Sequence, residues 1–312
     1  MMENDLSGED PRVYGLLVPF IKRGGKRIRP ALTILCCGAA GGRYEAAVEP
    51  AAIIELFHNF TLIHDDIEDD SRFRRGEPAL HISHGLPIAL NSGDALYTLL
   101  WKKLVSMKAK PSKLIRLQQL YVSAFKKVVD GQGIELSWIK KGRFDVSEKE
   151  YFQMIGGKTS ALLGLSCEAG AIVGGAGKRA SRALAEFGRM LGTAFQIQDD
   201  VLNVTGDFEK YKKEIGGDIS EGKRTLMVVH CLSNTSAGES ERLISILSSH
   251  SKKQDEIREA IAMLERSGSV EYARKRAGRL VTEAKKKLAR LDDSEDKRAL
   301  LAVSDYVTCR ES

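Results

Sequence analysis

Phe57 to Gly76 reads FHNFTLIHDDIEDDSRFRRG, and the spacing of its apolar and acidic positions decides the fold. Asp65 and Asp69 stand four residues apart, so on a helix of about 3.6 residues per turn their carboxylates leave one face, one above the other. Such a pair cradles a hard divalent cation such as Mg²⁺. Asp66, Glu68 and Asp70 crowd further negative charge into the same stretch. Like charges at that spacing destabilise a bare helix and call for cationic compensation. The plain alternative is a solvated acidic face. Against it stands a second copy, FQIQDDVLN from Phe195 to Asn203, with adjacent Asp199 and Asp200 and an amide, Asn203, four positions after the first. Both copies follow apolar helical sequence, where a carboxylate without a counter-ion is costly to bury. Two acidic helix faces turned toward one cavity would form a multi-metal site.

The helical period extends outward from this stretch. Apolar residues recur at three and four positions in Ala51, Ile54, Phe57, Thr61, in Leu114, Leu117, Leu120, Ala124, and in Leu184, Phe187, Leu191. No stretch alternates convincingly at period two. All seven prolines lie at or before Pro111, which leaves the remainder free for long helices. Breaks are expected at Gly41-Gly42, Arg75 to Pro87, Lys108 to Ser112, Lys141 to Ser147, Gly174 to Gly177, Gly206 to Asp218 and Ser236 to Glu239. Ser147 with Glu150 fits a capping box. Gly131-Gln132-Gly133 and Gly156-Gly157 interrupt helical pattern, as close helix packing or as backbone opened beside a cavity. The expectation is an all-α protein, one domain over residues 1–312, whose long antiparallel helices bind ligands between facing sides.

Composition narrows the class. The start, MMENDLSGED, has neither a basic end nor an apolar core, and no apolar run approaches the roughly 18 residues of a membrane span. Together with five scattered cysteines in no metal-binding or paired spacing, this points to a cytoplasmic protein with no integral membrane span. The net charge of +6 invites a nucleic-acid reading of Arg274 to Arg290, RKRAGRLVTEAKKKLAR. Leu280, Ala284 and Leu288 fall on one stripe of that segment, and no aromatic residue interleaves its charges, so a solvated helix face fits better and no nucleic acid is expected.

Cations cluster elsewhere. GGKRIRP, Gly24 to Pro30, sets three cations on a glycine turn ahead of a helix, a loop suited to phosphate. Arg74-Arg75 follows the first acidic motif, Lys158-Thr159 follows the paired glycines, and Lys213 and Lys223 lie beyond the second acidic motif. Cations and carboxylates converging on one pocket suit a diphosphate bridged by Mg²⁺.

GGKRIRP, LIHDDIEDDSRFRRGEP, GGKTS, FQIQDDVLN and GGDISEGKRT, in this order from about residue 24 to about residue 230, resemble the trans-type prenyl diphosphate synthases. The resemblance implies an isoprenoid-synthase-type helical bundle around a deep central cavity, a homodimer, about three Mg²⁺ ions per site, and condensation of isopentenyl diphosphate with an allylic diphosphate. It implies Asp65, Asp69 and Asp199 as metal ligands, with Asp66 and Asp200 supporting them. Arg74, Lys158, Lys213 and Lys223 would hold the allylic diphosphate. Lys26, Arg29, His58 and Arg75 would hold isopentenyl diphosphate. Thr159 and Gln196 would face the reacting carbons. Phe60, five residues before Asp65, with Phe57 and the small Thr61 beside it, resembles the chain-length pattern of archaeal-type synthases making twenty-carbon geranylgeranyl diphosphate, with farnesyl diphosphate the alternative. For a Phe pair at helical spacing, ordinary core packing is the competing reading.

Three departures stand out. Asn203 replaces a third aspartate, Ala79 stands where Thr is common, with an effect expected only on loop packing, and the end CRES is too weakly basic for a closing tail. A terpene cyclase would not need GGKRIRP, His58 and Arg75. A His-Asp phosphohydrolase would need a further histidine on a separate helix. A non-catalytic partner subunit would have lost an aspartate motif.

Overall fold

The structure, a computed structural model, describes residues 2–7, 9–206 and 215–309. The expected helical class holds, and the chain forms two compact units, Met1–Tyr121 with Ser166–Ser181, and Val122–Leu165 with Arg182–Ser312.

In the first unit the helix Glu45–Glu68 is central, packed against Ile28–Ala39 on one side and Leu86–Ser106 on the other. Its Ile53, Ile54, Leu56 and Phe57 are fully buried. It is the one described helix long and apolar enough to suit a membrane span, with 61% of the relevant window already buried inside the protein. The buried carboxylate Glu55 and amide Asn59 on its apolar side mark it as a core helix. Glycine lets the helix Ala161–Val173 approach Ile28–Ala39 closely: a Cβ on Gly170 would lie 2.1 Å from the Thr33 carbonyl oxygen.

The expected break at Arg75 to Pro87 contains an element that the period analysis does not reveal. Phe73–Arg74 pairs antiparallel with Glu77–Pro78, and Arg75 (φ 56°) and Gly76 (φ 81°) make the tight turn between them. Left-handed backbone at both central positions matches the twist of a hairpin, though such a turn ordinarily favours Asn-Gly. Placing Arg there costs roughly 1–2 kcal/mol. Ala79 then takes the N-cap position of Leu80–His84 without a side-chain acceptor. Its departure from Thr therefore removes a cap, worth about 1 kcal/mol, where only loop packing was expected.

In the second unit, Ser269–Leu288 packs against Leu226–Asn234, Gln254–Arg266 and Glu295–Cys309. Ala273, Ala277, Val281, Ala284 and Leu288 form its buried stripe. Val281 fills the position expected of Leu280, and Arg274, Lys275 and Arg279 are exposed, so the basic run is a solvated face. The Ser147 capping box is complete: Ser147 Oγ accepts from the Glu150 N–H, and Glu150 accepts from the Ser147 N–H, which pulls the Glu150 carboxyl down to about 2. That cap starts the helix Glu148–Ile155, which runs into a single π-helical turn, Gly156–Ser160. Such turns mark functional positions often enough to draw attention to Lys158 and Thr159. The two glycine interruptions meet here: a Cβ on Gly131 would lie 2.2 Å from the Lys158 nitrogen, and one on Gly157 2.6 Å from the Lys127 carbonyl oxygen. Close helix packing explains Gly131 and Gly157, while Gly133 and Gly156 face open space and Gly156 begins the π-helical turn.

Candidate active site

The first unit places its acidic motif at a helix C-terminus. The register stays helical through Asp69, whose N–H donates to the Asp65 carbonyl at 2.9 Å. Asp70 (φ 50°) then turns left-handed and Ser71 N–H reaches back to the Asp66 carbonyl, a Schellman-type stop. Asp65 and Asp69 are half-buried, and Glu68 and Asp70 are exposed. Carboxylates belong at helix N-termini, and the negative end of the dipole opposes them here. The last turn contains no basic residue. Compensation comes from the hairpin: Arg74 donates through Nε (2.8 Å) and Nη2 to Asp66 Oδ1. Burial weighs against the charge on Arg74, but Asp66, Asp65 and Asp69 outweigh it and raise its pKa. Asp66 is itself raised by burial, with Arg74 opposing, and its Oδ2 is buried without a hydrogen-bond partner.

A second cluster, rich in cations, gathers around Arg75 in the hairpin turn and the loop before Ile28. Arg27 (φ 49°) is left-handed ahead of the helix Ile28–Ala39, and its guanidinium binds the buried Glu55 and the Ile21 carbonyl. Gly25 (φ 126°) lets the Arg75 guanidinium come close, since a Cβ there would lie 2.7 Å from its Nη2. Arg29 Nη1 sits 3.2 Å from His58 Nε2. Burial, then Arg29, Arg75, Arg74 and Arg27, push the His58 pKa well down, so its ring is neutral. Nε2 must accept from Arg29, which leaves the proton on Nδ1. Burial and Arg27 likewise lower Arg75, with Glu55 opposing. Arg27 thus pairs with the buried Glu55 and Arg74 with the buried Asp66, while Arg29 and Arg75 add their charge around the neutral His58. Guanidinium groups gathered in this way suit a polyanion. Lys26, on the same loop, is exposed.

The second unit joins its expected residues by hydrogen bonds. Thr159 Oγ1 donates to Gln196 Oε1 (2.8 Å), Gln196 Nε2 donates to Asp200 Oδ1 (2.8 Å), and Tyr151 donates to Asp200 Oδ2 (3.1 Å). Burial, then Asp218, drive the Asp200 pKa well up. Asp199, one residue earlier, is half-buried. Asn203 Oδ1 accepts from the Asp218 N–H (3.1 Å), so the amide that replaces a third aspartate ties down the chain leading to Lys223. Lys223 Nζ meets Asp218 at 3.4 Å and also pairs with Glu221. Lys158 pairs with Glu135. Burial would raise Glu135, but Lys158, Lys223 and Arg224 outweigh it and hold its pKa down. Lys213 lies outside the described residues, as does the CRES tail beyond Cys309.

Glu55, Glu135, Tyr151 and Asp218 have no role assigned to them from the sequence. One signal was available for Glu135: it follows Gly131 by four residues, and so shares the face on which that glycine interrupts the helix. Among the described residues no three His, Cys, Asp or Glu side chains form a preformed metal cluster. The donors nonetheless fit Mg²⁺: they are carboxylate oxygens without thiolate or imidazole, and the buried Asp66 Oδ2 has no hydrogen-bond partner.

Residues 10–264 match the polyprenyl synthetase family model. The chain is 42% identical over 292 residues to a short chain isoprenyl diphosphate synthase of Methanothermobacter thermautotrophicus, covering 93% of this chain and 88% of that one. It superposes on a geranylgeranyl pyrophosphate synthetase from Pyrococcus horikoshii with a TM-score of 0.93 at 34% identity, covering 99% and 94%. It superposes also on a polyprenyl synthase from Caulobacter crescentus complexed with calcium and isoprenyl diphosphate, at TM-score 0.92 and 27% identity, covering 100% and 93%. With the family model spanning most of its length, this chain belongs to the polyprenyl synthetases.

Proposed function

We propose that this chain is a Mg²⁺-dependent prenyltransferase that condenses isopentenyl diphosphate with allylic diphosphates to give all-trans geranylgeranyl diphosphate. The observation that carries the reading is the cation-rich cluster around His58 beside a carboxylate-bearing helix end held by Arg74, in a chain of this family.

Asp65, Asp69 and Asp199 are the carboxylates assigned to about three Mg²⁺ ions, which when bound supply Lewis-acid stabilisation of the leaving diphosphate. Asp66 supports them by gripping Arg74, and Asp200 by fixing Gln196 and Tyr151. Arg74, Lys158, Lys213 and Lys223 receive the allylic diphosphate. Lys26, Arg29, His58 and Arg75 receive isopentenyl diphosphate. The allylic C–O bond breaks with its electrons on the diphosphate, and the isopentenyl double bond attacks the carbon left behind. Thr159, its proton engaged by Gln196, turns hydroxyl lone pairs to that developing positive carbon. The departing diphosphate accepts the proton lost in forming the new double bond.

Incubation with isopentenyl diphosphate, Mg²⁺ and starters of five, ten or fifteen carbons, followed by product chromatography, tests this reading. A twenty-carbon diphosphate is expected, and absence of any elongated product rejects it. Arg75 gives a finer test. Lys in its place keeps the charge and loses the fork, so Arg75→Lys is expected to raise KM for isopentenyl diphosphate about tenfold, worth about 1.4 kcal/mol, with the allylic KM little changed. Equal effects on both substrates would contradict the subsite assignment.

The same proposal has the protein working as a single-domain homodimer in the cytoplasm. Leu86, Leu90 and Tyr97 lie exposed along one stripe of the helix Leu86–Ser106, about 16 Å long at 1.5 Å per residue. Sedimentation at micromolar concentration should show a dimer, and recovery in the membrane fraction would exclude the cytoplasmic assignment.

A further inference from the structure

Arg224 lies in the second unit, 3% exposed, and its hydrogen bonds all go to main-chain carbonyls. Nε donates to Arg143 O at 2.8 Å, Nη2 to Trp138 O at 3.3 Å, and Nη1 to Gly222 O. The guanidinium carbon lies 3.9 Å from the centroid of the Phe144 ring. Among the described residues no carboxylate forms an ion pair with it. Burying a guanidinium whose hydrogen bonds go to carbonyls, with the Glu135 carboxylate acting on it only at longer range, is costly, and a core that only needed filling would use an apolar side chain. The three carbonyls show what the charge achieves. Trp138 lies in the last turn of the helix Pro111–Lys140, which carries Glu135 about one turn earlier, Arg143 lies just after that helix, and Gly222 immediately precedes Lys223. Gly222 (φ 66°) has no room for a Cβ, which would lie 2.8 Å from the Leu247 carbonyl oxygen. The backbone on both sides of Lys223 is therefore fixed, by a close-packed glycine before it and a three-carbonyl bracket after it.

We propose that Arg224 is a positioning residue that holds Lys223, beside Glu135 and Lys158, in place for the allylic diphosphate. Lys223 is a point charge on a flexible stem, so its aim depends on where its main chain is held. This inference rests on the assignment of Lys223 to the allylic subsite made above.

The test is a double-mutant cycle of Lys223→Ala and Arg224→Gln. It reads KM for each substrate, kcat, and calorimetric affinity for geranyl thiolodiphosphate, a slowly ionising allylic analogue, in Mg²⁺. Arg224→Gln is expected to raise the allylic KM and the analogue Kd about tenfold, with KM for isopentenyl diphosphate within about twofold of the parent. In the Lys223→Ala background it should add almost nothing. Arg224→Lys keeps the charge but reaches fewer carbonyls, so it should not rescue. Phe144→Leu removes the ring under the guanidinium and no hydrogen bond, and should shift the same two constants in the same direction even if Arg224→Gln folds poorly. The inference is overturned if Arg224→Gln acts equally with and without Lys223, if both substrates' KM values rise together, or if Phe144→Leu shifts neither constant. If Lys223→Ala itself leaves the allylic KM and analogue Kd unchanged, the subsite assignment falls and the inference with it, an outcome distinct from the others.

Discussion

Asp65→Ala, Asp69→Ala or Asp199→Ala is expected to lower turnover by about a thousandfold or more, roughly 4 kcal/mol of transition-state stabilisation, while the protein stays folded. Asp65 and Asp69 crown a helix C-terminus with no basic residue in its last turn. Removing either relieves repulsion with its neighbours and with the helix dipole but gives up its attraction to Arg74, terms of a few tenths of a kcal/mol each that largely offset one another. The thermal midpoint should change little as activity disappears. Asp66→Ala should behave differently. It strands the buried Arg74 guanidinium, which Asp66 Oδ1 holds through two hydrogen bonds, and breaking a buried pair from one side costs about 3–5 kcal/mol. Steady-state turnover over a Mg²⁺ titration, set beside thermal unfolding of the same variants, separates the two classes. Near-parental turnover in Asp65→Ala would remove that carboxylate from the metal set.

The contrast between Asp66 and its neighbours shows where sequence reasoning reaches and where it stops. The spacing of Asp65 and Asp69 is a local property of one helix, as are the capping box at Ser147 and the buried stripe of Ser269–Leu288, and each is legible because a 3.6-residue period repeats over several turns. The one-position error on that stripe, Val281 in place of Leu280, is the size of slip expected when adjacent apolar residues compete for a face. The hairpin Phe73–Pro78 has strands of two residues, too short for any alternation to register. Its turn also uses Arg75 where the familiar signal is Asn-Gly. The pairs that set the electrostatics are longer in reach still: Arg27 with Glu55, and Lys158 with Glu135, lie 28 and 23 residues apart. No helical period links them, so only the folded chain reveals that the cations beside the proposed substrates are held by buried carboxylates.

Product length should change with Phe60. On the helix Glu45–Glu68 it lies five residues before Asp65, about 7.5 Å back along the axis, and Phe57 lies about 12 Å back. The packing divides their roles. Phe57 is fully buried, so the core reading describes it, and Phe57→Ala is expected to cost about 3–5 kcal/mol of stability. Phe60 is half-buried, with ring centroids 5.0 Å from Tyr97 and 5.6 Å from Phe57, and His64 edge-on at 4.6 Å. The helical wheel does not set Phe60 under Asp65; the resemblance to archaeal-type synthases is what assigns it to the path of the prenyl tail, and its ring packs against Tyr97 and Phe57. Thr61, half-buried and bonded through Oγ1 to the His58 carbonyl, leaves the adjacent position small. Phe60→Ala is therefore expected to move the main product from twenty carbons to longer diphosphates, and the Phe57→Ala, Phe60→Ala pair further still if it folds. The lengthening stays limited while the Tyr97 ring remains, so Phe60→Ala with Tyr97→Ala should lengthen products beyond Phe60→Ala alone. Chromatography of dephosphorylated products reads each step. If Phe60→Ala gave the parental distribution, this ring would not be the floor, and if the parent itself stopped at fifteen carbons, the floor would lie nearer Asp65 than Phe60 does.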